Sequence, residues 1–284
     1  MIDAGNALSQ QDLQKAAAAI VAGAGVEDWS AFPSSKYALV YKHKSNIFLK
    51  CFLPRSGMET VKKFFRGSRC VRSIRGTDLL LNAGLQAPAT IARGKTAGVE
   101  WLASQTARGV GVADFLAYLT TIDNDIGEKI RSRLMAELGR QIARLHQQKI
   151  VHGDLRPNNV MLYLKPSWSE RLATGGEEIL QLTFIDNERT RRYWPIIPRR
   201  ERIRNLVQIM MISDRSLNQQ ERALFISSYS RYCPINTEAA AKLEHTVMAI
   251  ANTRLTAKRY NELFDQVLPA VLERVQTTSD NHCD

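Results

Sequence analysis

The chain has no uninterrupted apolar run of the ~18 residues that a membrane-crossing helix needs. Its Ala/Gly-rich stretch AAAAIVAGAG is too short, and Asp3 rather than a basic cluster leads toward it. Neither a transmembrane helix nor a cleaved signal peptide is expected. Cysteine is scarce: Cys51, Cys70, Cys233 and Cys283 are scattered, with no C-x-x-C pair and no His at zinc spacing. That pattern excludes a structural zinc site and points to reduced thiols in a cytosolic protein. Internal repeats and low-complexity tracts are also missing. Acidic residues are in deficit, 28 Asp+Glu against 39 Lys+Arg over 284 residues, for a formal charge of +11. Such a surplus favours an acidic partner: nucleic acid, an anionic membrane surface or a phosphorylated substrate. Without zinc-finger spacing, an RNA-recognition aromatic motif or a helix-turn-helix pattern, nucleic acid is the weakest of the three.

What is present is an ordinary globular composition, 44% apolar and 24% charged. Residues 8–22 read as a helix capped by Ser9 and ended by Gly23 and Gly25. The period then changes: KYALVYKHKSNIFLKCFL, residues 36–53, reads as a β-hairpin turning at Lys44-Ser45-Asn46. Helical spacing covers 59–82, strands are expected after Gly84 and over 98–106, and a short helix over 114–120. In residues 130–146, Ile130, Leu134, Leu138, Ile142 and Leu145 recur at helical steps, giving the clearest amphipathic helix of the chain. Further helices are expected at 203–213, 219–231, 237–252 and 256–275, before a polar tail. Domains follow from this order: a helical extension over 1–30, a small sheet-bearing lobe over 31–110 and a mostly helical lobe over 111–284.

The strongest chemical signal is VHGDLRPNNVML, residues 151–162, followed by the apolar strand LQLTFID that ends at Asp186. Phosphoryl transfer asks little covalent work of a protein. It needs a carboxylate to orient the attacking hydroxyl and hard oxygen ligands to hold a metal on the nucleotide phosphates. Asp154 suits the first task; Asn159, five residues on, and Asp186, from a second strand end, suit the second. The apolar runs Ile150-Val151 and Val160-Met161-Leu162 are expected to hold this loop as the mouth of a short hairpin. Either motif alone is usually just a turn. Their order, 32 residues apart and behind a long amphipathic helix, is what makes the pair specific.

A phosphate-binding cation is then needed on a strand of the small lobe. Lys50 lies inside the apolar run NIFLKCF, with Phe48 and Phe52 on its face and Ile47, Leu49 and Cys51 on the other. A lysine there is costly without a partner, although one on an edge strand can snorkel to water.

FLKCF, RGSRCVRSIRGTDLLLNAGLQAP (66–88), HGDLRPNN, FIDNER and RRERIRNLVQIM (199–210) together resemble the protein-kinase-like superfamily, and more closely the bacterial lipopolysaccharide core kinase (Kdo/WaaP-type) family. The resemblance implies an α+β, two-lobed protein-kinase-like fold, with a small antiparallel-sheet N-lobe carrying one long helix and a mostly helical C-lobe. It implies ATP and Mg²⁺, with Asp154 as catalytic base, Asn159 and Asp186 as metal ligands and Lys50 on the α/β-phosphates. The implied reaction is phosphorylation of a heptose or Kdo hydroxyl on the lipopolysaccharide inner core. Alternatives are a small-molecule or minimal protein kinase, and a nucleotide-binding pseudokinase scaffold.

The sequence also departs from the kinase pattern. LVYKHKSNIFL contains no glycine to cover the phosphates, and Gly153 stands where an Arg usually follows the catalytic His. The metal-binding strand ends Asp-Asn-Glu, and no Ala-Pro-Glu follows, which argues against a phosphorylation-gated protein kinase. No helical Glu is evident for Lys50; Asp78 is the one acid between Val61 and Gly84, and Ser73 falls near the expected place. His152 is expected to bond a backbone carbonyl near the metal-binding strand, and Glu188 to make a surface ion pair.

The positive charge is clustered. Residues 189–204 hold seven arginines (Arg189, Arg191, Arg192, Arg199, Arg200, Arg202, Arg204) against Glu201 alone, just after the metal-binding strand. Arginine's planar fork suits phosphate and carboxylate, so Arg189, Arg191, Arg192, Arg199 and Arg200 are the candidate substrate contacts. A second basic run is Lys62, Lys63, Arg66, Arg69, Arg72 and Arg75. Trp194 and Phe64-Phe65 beside these runs could meet acyl chains. The expected partner is an anionic lipid-linked sugar, with peripheral contact at the inner membrane from the cytoplasmic side.

Overall fold

The computed structural model describes residues 8–54, 67–122, 124–164, 180–233, 237–258 and 260–280. Lys62, Lys63, Phe64, Phe65, Arg66 and Cys283 lie outside the described residues. The chain divides into two compact units: residues 1–78 with 88–107, and residues 79–87 with 108–284.

The first unit is built on a five-stranded antiparallel sheet of order β1-β2-β3-β5-β4. Its strands are β1 (Trp29–Ser35), β2 (Ala38–His43), β3 (Ile47–Phe52), β4 (Thr90–Thr96) and β5 (Val99–Gln105). The expected hairpin is β2–β3, with Asn46 in the left-handed region at its turn. Helix α1 (Gln10–Val21) starts in a capping box, where Ser9 accepts from the Asp12 N–H and Asp12 accepts from the Ser9 N–H. It buries Leu13, Ala16, Ala17 and Ile20 against Ile47, Leu49, Cys51, Trp101 and Ala103. Gln14 fixes this packing by accepting from Trp101 Nε1 at 3.0 Å and donating to the Lys95 carbonyl at 2.9 Å. The opposite sheet face carries Phe52 and Leu102, covered by Cys70 and Ile74 of α2 (Arg69–Asn82).

In the second unit the long helix α4 (Asn124–Gln147) forms the axis, following β6 (Val110–Gly111), α3 (Val112–Tyr118) and a 3₁₀ turn at Leu119–Thr121. Ile130, Leu134, Leu138, Ile142 and Leu145 are all fully buried, as their spacing predicts. Helix α6 (Gln219–Tyr232) lies so close to α4 that a Cβ at Gly139 would overlap the Phe225 carbonyl, and Ser228 donates to the Ala136 carbonyl at 2.6 Å. The remaining strands are β7 (Ile150–Val151), β8 (Val160–Leu164), β9 (Leu180–Phe184) and β10 (Arg191–Arg192). Helices α5 (Arg199–Ile209), α7 (Thr237–Ala257) and α8 (Tyr260–Asp280) complete it. Helix α5 starts four residues before its expected position, directly after Pro198.

The expected hairpin between β7 and β8 does not form. β7 pairs with β10, and β8 lies between β6 and β9 in a separate three-stranded sheet. The intervening residues turn through a 3₁₀ helix at Pro157–Asn159, which gives each run its own partner. Cys51, Cys70 and Cys233 are buried free thiols, as expected. Burial pushes both Cys51 and Cys70 up to about 11, so neither offers a thiolate nucleophile. No helix among the described residues is long and apolar enough to cross a membrane.

Candidate active site

The loop from His152 to Asn159 leaves β7 and enters β8, and each of its residues is tied down differently. His152 is fully buried; its Nε2 donates at 3.1 Å to the Ile185 carbonyl and at 3.1 Å to Asn187 Oδ1. Both partners are acceptors, which places the proton of the neutral ring on Nε2. Burial holds this imidazole below its ordinary value, partly offset by the Asn187 hydrogen bond. His152 thus staples the loop to the β9 exit, the role expected of it.

Helix α5 grips the same loop from the other side. Asn205 accepts from the His152 N–H at 3.2 Å and donates to the His152 carbonyl at 2.7 Å. Gln208 accepts from the Leu155 N–H at 3.3 Å and donates to Asp154 Oδ1 at 3.4 Å. Arg204 donates to the Gly153 carbonyl at 3.2 Å. Gly153 itself is required sterically, because a Cβ there would overlap the backbone and Cβ of Arg189. The absence of the usual Arg is therefore built into the local packing.

Asp154 has a side chain 21% exposed, with Oδ1 also accepting from Arg156 Nε at 3.0 Å. Asn159 donates from Nδ2 to the Asp154 carbonyl at 2.8 Å, and its own carbonyl accepts from the Ile185 N–H at 2.9 Å. The first bond leaves the Asn159 carboxamide oxygen as the atom available to a cation. The second joins Asn159 to the residue preceding Asp186. Val160 pairs with Phe184 in the β8–β9 register, so Asn159 and Asp186 leave the same end of adjacent strands. Asp186 is exposed and left-handed, φ 57°, at the head of the 3₁₀ turn Asn187–Arg189. The Gly84–Gln86 segment lines β9 on its other side: the Phe184 N–H donates to the Gln86 carbonyl at 2.9 Å. Asp154, Asn159 and Asp186 are thereby brought together. Hard oxygens from an Asn and an Asp are the donor type that Mg²⁺ favours, so these residues fit such an ion. Among the described residues no cluster of three or more His, Cys, Asp or Glu could hold a metal by itself.

Lys50 belongs to the other unit. It sits half-buried on β3, opposite Val40 and Leu102, with Nζ 5.5 Å from the Phe52 ring centroid. Asp78 is exposed, away from the buried stripe Cys70, Ser73 and Thr77 of α2. Glu100, opposite Phe52 on β5, stands diagonally from Lys50 in the register.

Of the arginines, Arg189, Arg191, Arg192, Arg199 and Arg200 are exposed. Glu201 is buried, with Arg204 at 3.3 Å and Arg191 and Arg200 each at 3.6 Å. One carboxylate thus anchors three guanidinium groups of the run. Asn205 and Gln208 of α5, and Asn158 of the loop itself, hold the site together and were missed by sequence reasoning. Asn158 Oδ1 accepts from the Ala113 and Asp114 N–H groups at the start of α3, and its Nδ2 donates to Asp114 Oδ1. The legible signal was an Asn and a Gln three residues apart within the apolar stretch NLVQIM.

The family model of the lipopolysaccharide kinase (Kdo/WaaP) family matches residues 59–229, which contain this whole loop, Asp186 and α5. The chain belongs to the lipopolysaccharide kinase (Kdo/WaaP) family. It is accordingly a phosphotransferase, a kinase of a lipopolysaccharide core sugar that uses ATP. The lipopolysaccharide-kinase match begins after Lys50. Among solved structures, WaaP in complex with acyl carrier protein is similar over 80% of this chain and 88% of its own, at TM-score 0.59 and 14% identity. WbdD, a bifunctional kinase-methyltransferase, aligns over 78% of this chain and 45% of its own, at TM-score 0.46 and 21% identity. The WaaP likeness fits the observed α+β fold, an antiparallel-sheet unit followed by a helical one, as expected. No protein of curated function matches the chain in sequence.

Proposed function

We propose that this kinase transfers the γ-phosphoryl group of ATP to a hydroxyl of a heptose or Kdo unit in the lipopolysaccharide inner core, with Asp154 as base. The acceptor oxygen forms the new bond to the γ-phosphorus, the bond from that phosphorus to the bridging oxygen of ADP breaks, and the hydroxyl proton passes to the Asp154 carboxylate. Asn159 and Asp186 would hold Mg²⁺, whose charge offsets that of the nucleotide phosphates. The observation that carries the reading is the Asn159 carboxamide. Its nitrogen is committed to the Asp154 carbonyl, so base and metal ligand are oriented as one unit.

Lys50 is proposed to meet the α/β-phosphates, a role taken from its place on a central strand inside an apolar run. The exposed Arg189, Arg191, Arg192, Arg199 and Arg200 are proposed to receive the phosphate and carboxylate groups of an anionic, lipid-linked acceptor. Such an acceptor implies work at the cytoplasmic face of the inner membrane. Labelled ATP with defined core-lipid acceptors tests the assignment. Asp154→Ala should lose about a thousandfold in transfer, and transfer equal to wild type would overturn it.

A further inference from the structure

Between β10 and α5 the chain runs Tyr193-Trp194-Pro195-Ile196-Ile197-Pro198. Ile197 is buried and roots this segment, whereas Trp194 is 83% exposed and Ile196 71% exposed. Scattered apolar residues are normal on a protein surface. A nearly bare Trp and a nearly bare Ile two residues apart, on either side of Pro195, form instead an apolar tip.

The tip has a fixed base. β10 pairs with β7, Arg191 opposite Val151, and the Tyr193 N–H donates to the Lys149 carbonyl at 2.8 Å. Lys149 Nζ lies 4.3 Å from the Trp194 ring centroid, and the Arg191 guanidinium 4.9 Å from that of Tyr193. Basic residues surround the base of the tip. Lys149, Arg191, Arg192, Arg199 and Arg200 flank it, and the neighbouring acid, Glu201, is buried among arginines.

We propose that Trp194 and Ile196 insert into the interfacial zone of an anionic lipid bilayer, with this basic collar on the lipid phosphates. An indole with an apolar body and one N–H donor suits the headgroup boundary, and arginine suits phosphate. A protein partner would have to offer a cavity for two projecting side chains and a ring of acids around it; a bilayer supplies both anywhere on its surface. β10, which carries the tip, begins two residues after Arg189, whose backbone packs on Gly153 beside Asp154. A docked tip therefore holds the catalytic loop at the membrane, where a lipid-linked acceptor lies. That purpose rests on the proposed acceptor, whereas vesicle binding is measured without any acceptor.

The test is co-sedimentation of the full chain with vesicles of equal parts phosphatidylethanolamine and phosphatidylglycerol, against phosphatidylcholine alone. Wild type should bind the anionic vesicles and lose binding as salt rises. Trp194→Ser with Ile196→Ser should weaken binding about tenfold or more without changing the melting temperature. Ile126→Ser, which removes an exposed Ile of α4, should bind as wild type. Trp194→Phe should still bind but lose the fluorescence quenching that brominated acyl chains cause in wild type. No binding by wild type, undiminished binding by the double variant, or quenching retained in Trp194→Phe would each overturn the proposal. Capture of an acidic carrier protein without vesicle binding would overturn it in favour of a protein partner. None of these outcomes touches the Asp154→Ala phosphotransfer result, so the two readings fail separately.

Discussion

The carboxamide of Asn205 satisfies both backbone polar groups of His152, taking the N–H at 3.2 Å and giving to the carbonyl at 2.7 Å. Asn205 and His152 are both fully inaccessible to solvent. Asn205→Ala leaves those two groups buried without their partner, at about 1–3 kcal/mol each. Denaturant unfolding should show a loss of about 2–5 kcal/mol, with phosphotransfer falling in parallel. A variant as stable as wild type would mean the loop is held elsewhere.

Gln208 acts on the base directly, bonding Asp154 Oδ1 and the Leu155 N–H. Gln208→Leu keeps the apolar bulk of α5 but frees the Asp154 carboxylate to rotate. Turnover should fall about tenfold, with KM for ATP unchanged. An equal rise in KM with constant turnover would assign Gln208 to binding instead.

Gly153→Ala adds one methyl group where the Arg189 backbone already sits. One of the two segments must move, at about 1–3 kcal/mol, and the movement passes to Asp154, the next residue. Steady-state kinetics and thermal melting should both decline. Restoring the commoner kinase-type Arg at this position should be worse still.

Asp186 occupies the left-handed region and is exposed. Asn tolerates that backbone conformation well, so Asp186→Asn should keep the melting temperature while removing an anionic oxygen from the metal site. Transfer should drop about a hundredfold and partly recover at high Mg²⁺. Unchanged Mg²⁺ dependence would remove Asp186 from the metal site.

Acid should unfold this protein through its buried histidines. Burial drives His146 down to about 4, partly offset by its hydrogen bond to Asn205 at 3.4 Å, and holds His152 low as well. The folded value lies below the unfolded one, so between pH 6.5 and 4 the unfolded chain binds more protons. Stability is then full above pH 6.5 and falls as pH drops, by about 3 kcal/mol from His146 alone near pH 4. Unfolding free energies measured from pH 7 to 4 should show this slope, and His146→Gln should flatten it.

Residue order alone determined the features in which local physics suffices. Ser9 and Asp12 cap α1 because each satisfies the other's backbone, and no distant residue is needed. Ile130 to Leu145 are buried because their period leaves one apolar stripe. The HGDLRPNN loop and Asp186 could be read as phosphotransfer residues because that chemistry demands those groups in that order. Only the tertiary structure decided what holds them. β7 and β8 look like the arms of a hairpin, yet they pair with different strands, since nothing local favours one edge over another. Asn205 and Gln208 carry no chemical signature of their own; a helix starting some 40 residues downstream of the loop gives them their meaning. Glu201 reads as one acid lost among arginines, but burial makes it their anchor. Trp194 and Ile196 stay exposed while Ile197, next in the chain, is buried, a choice that adjacent apolar residues do not settle by themselves. Backbone partners and exposure are set by which segments meet, and that is a property of the folded chain.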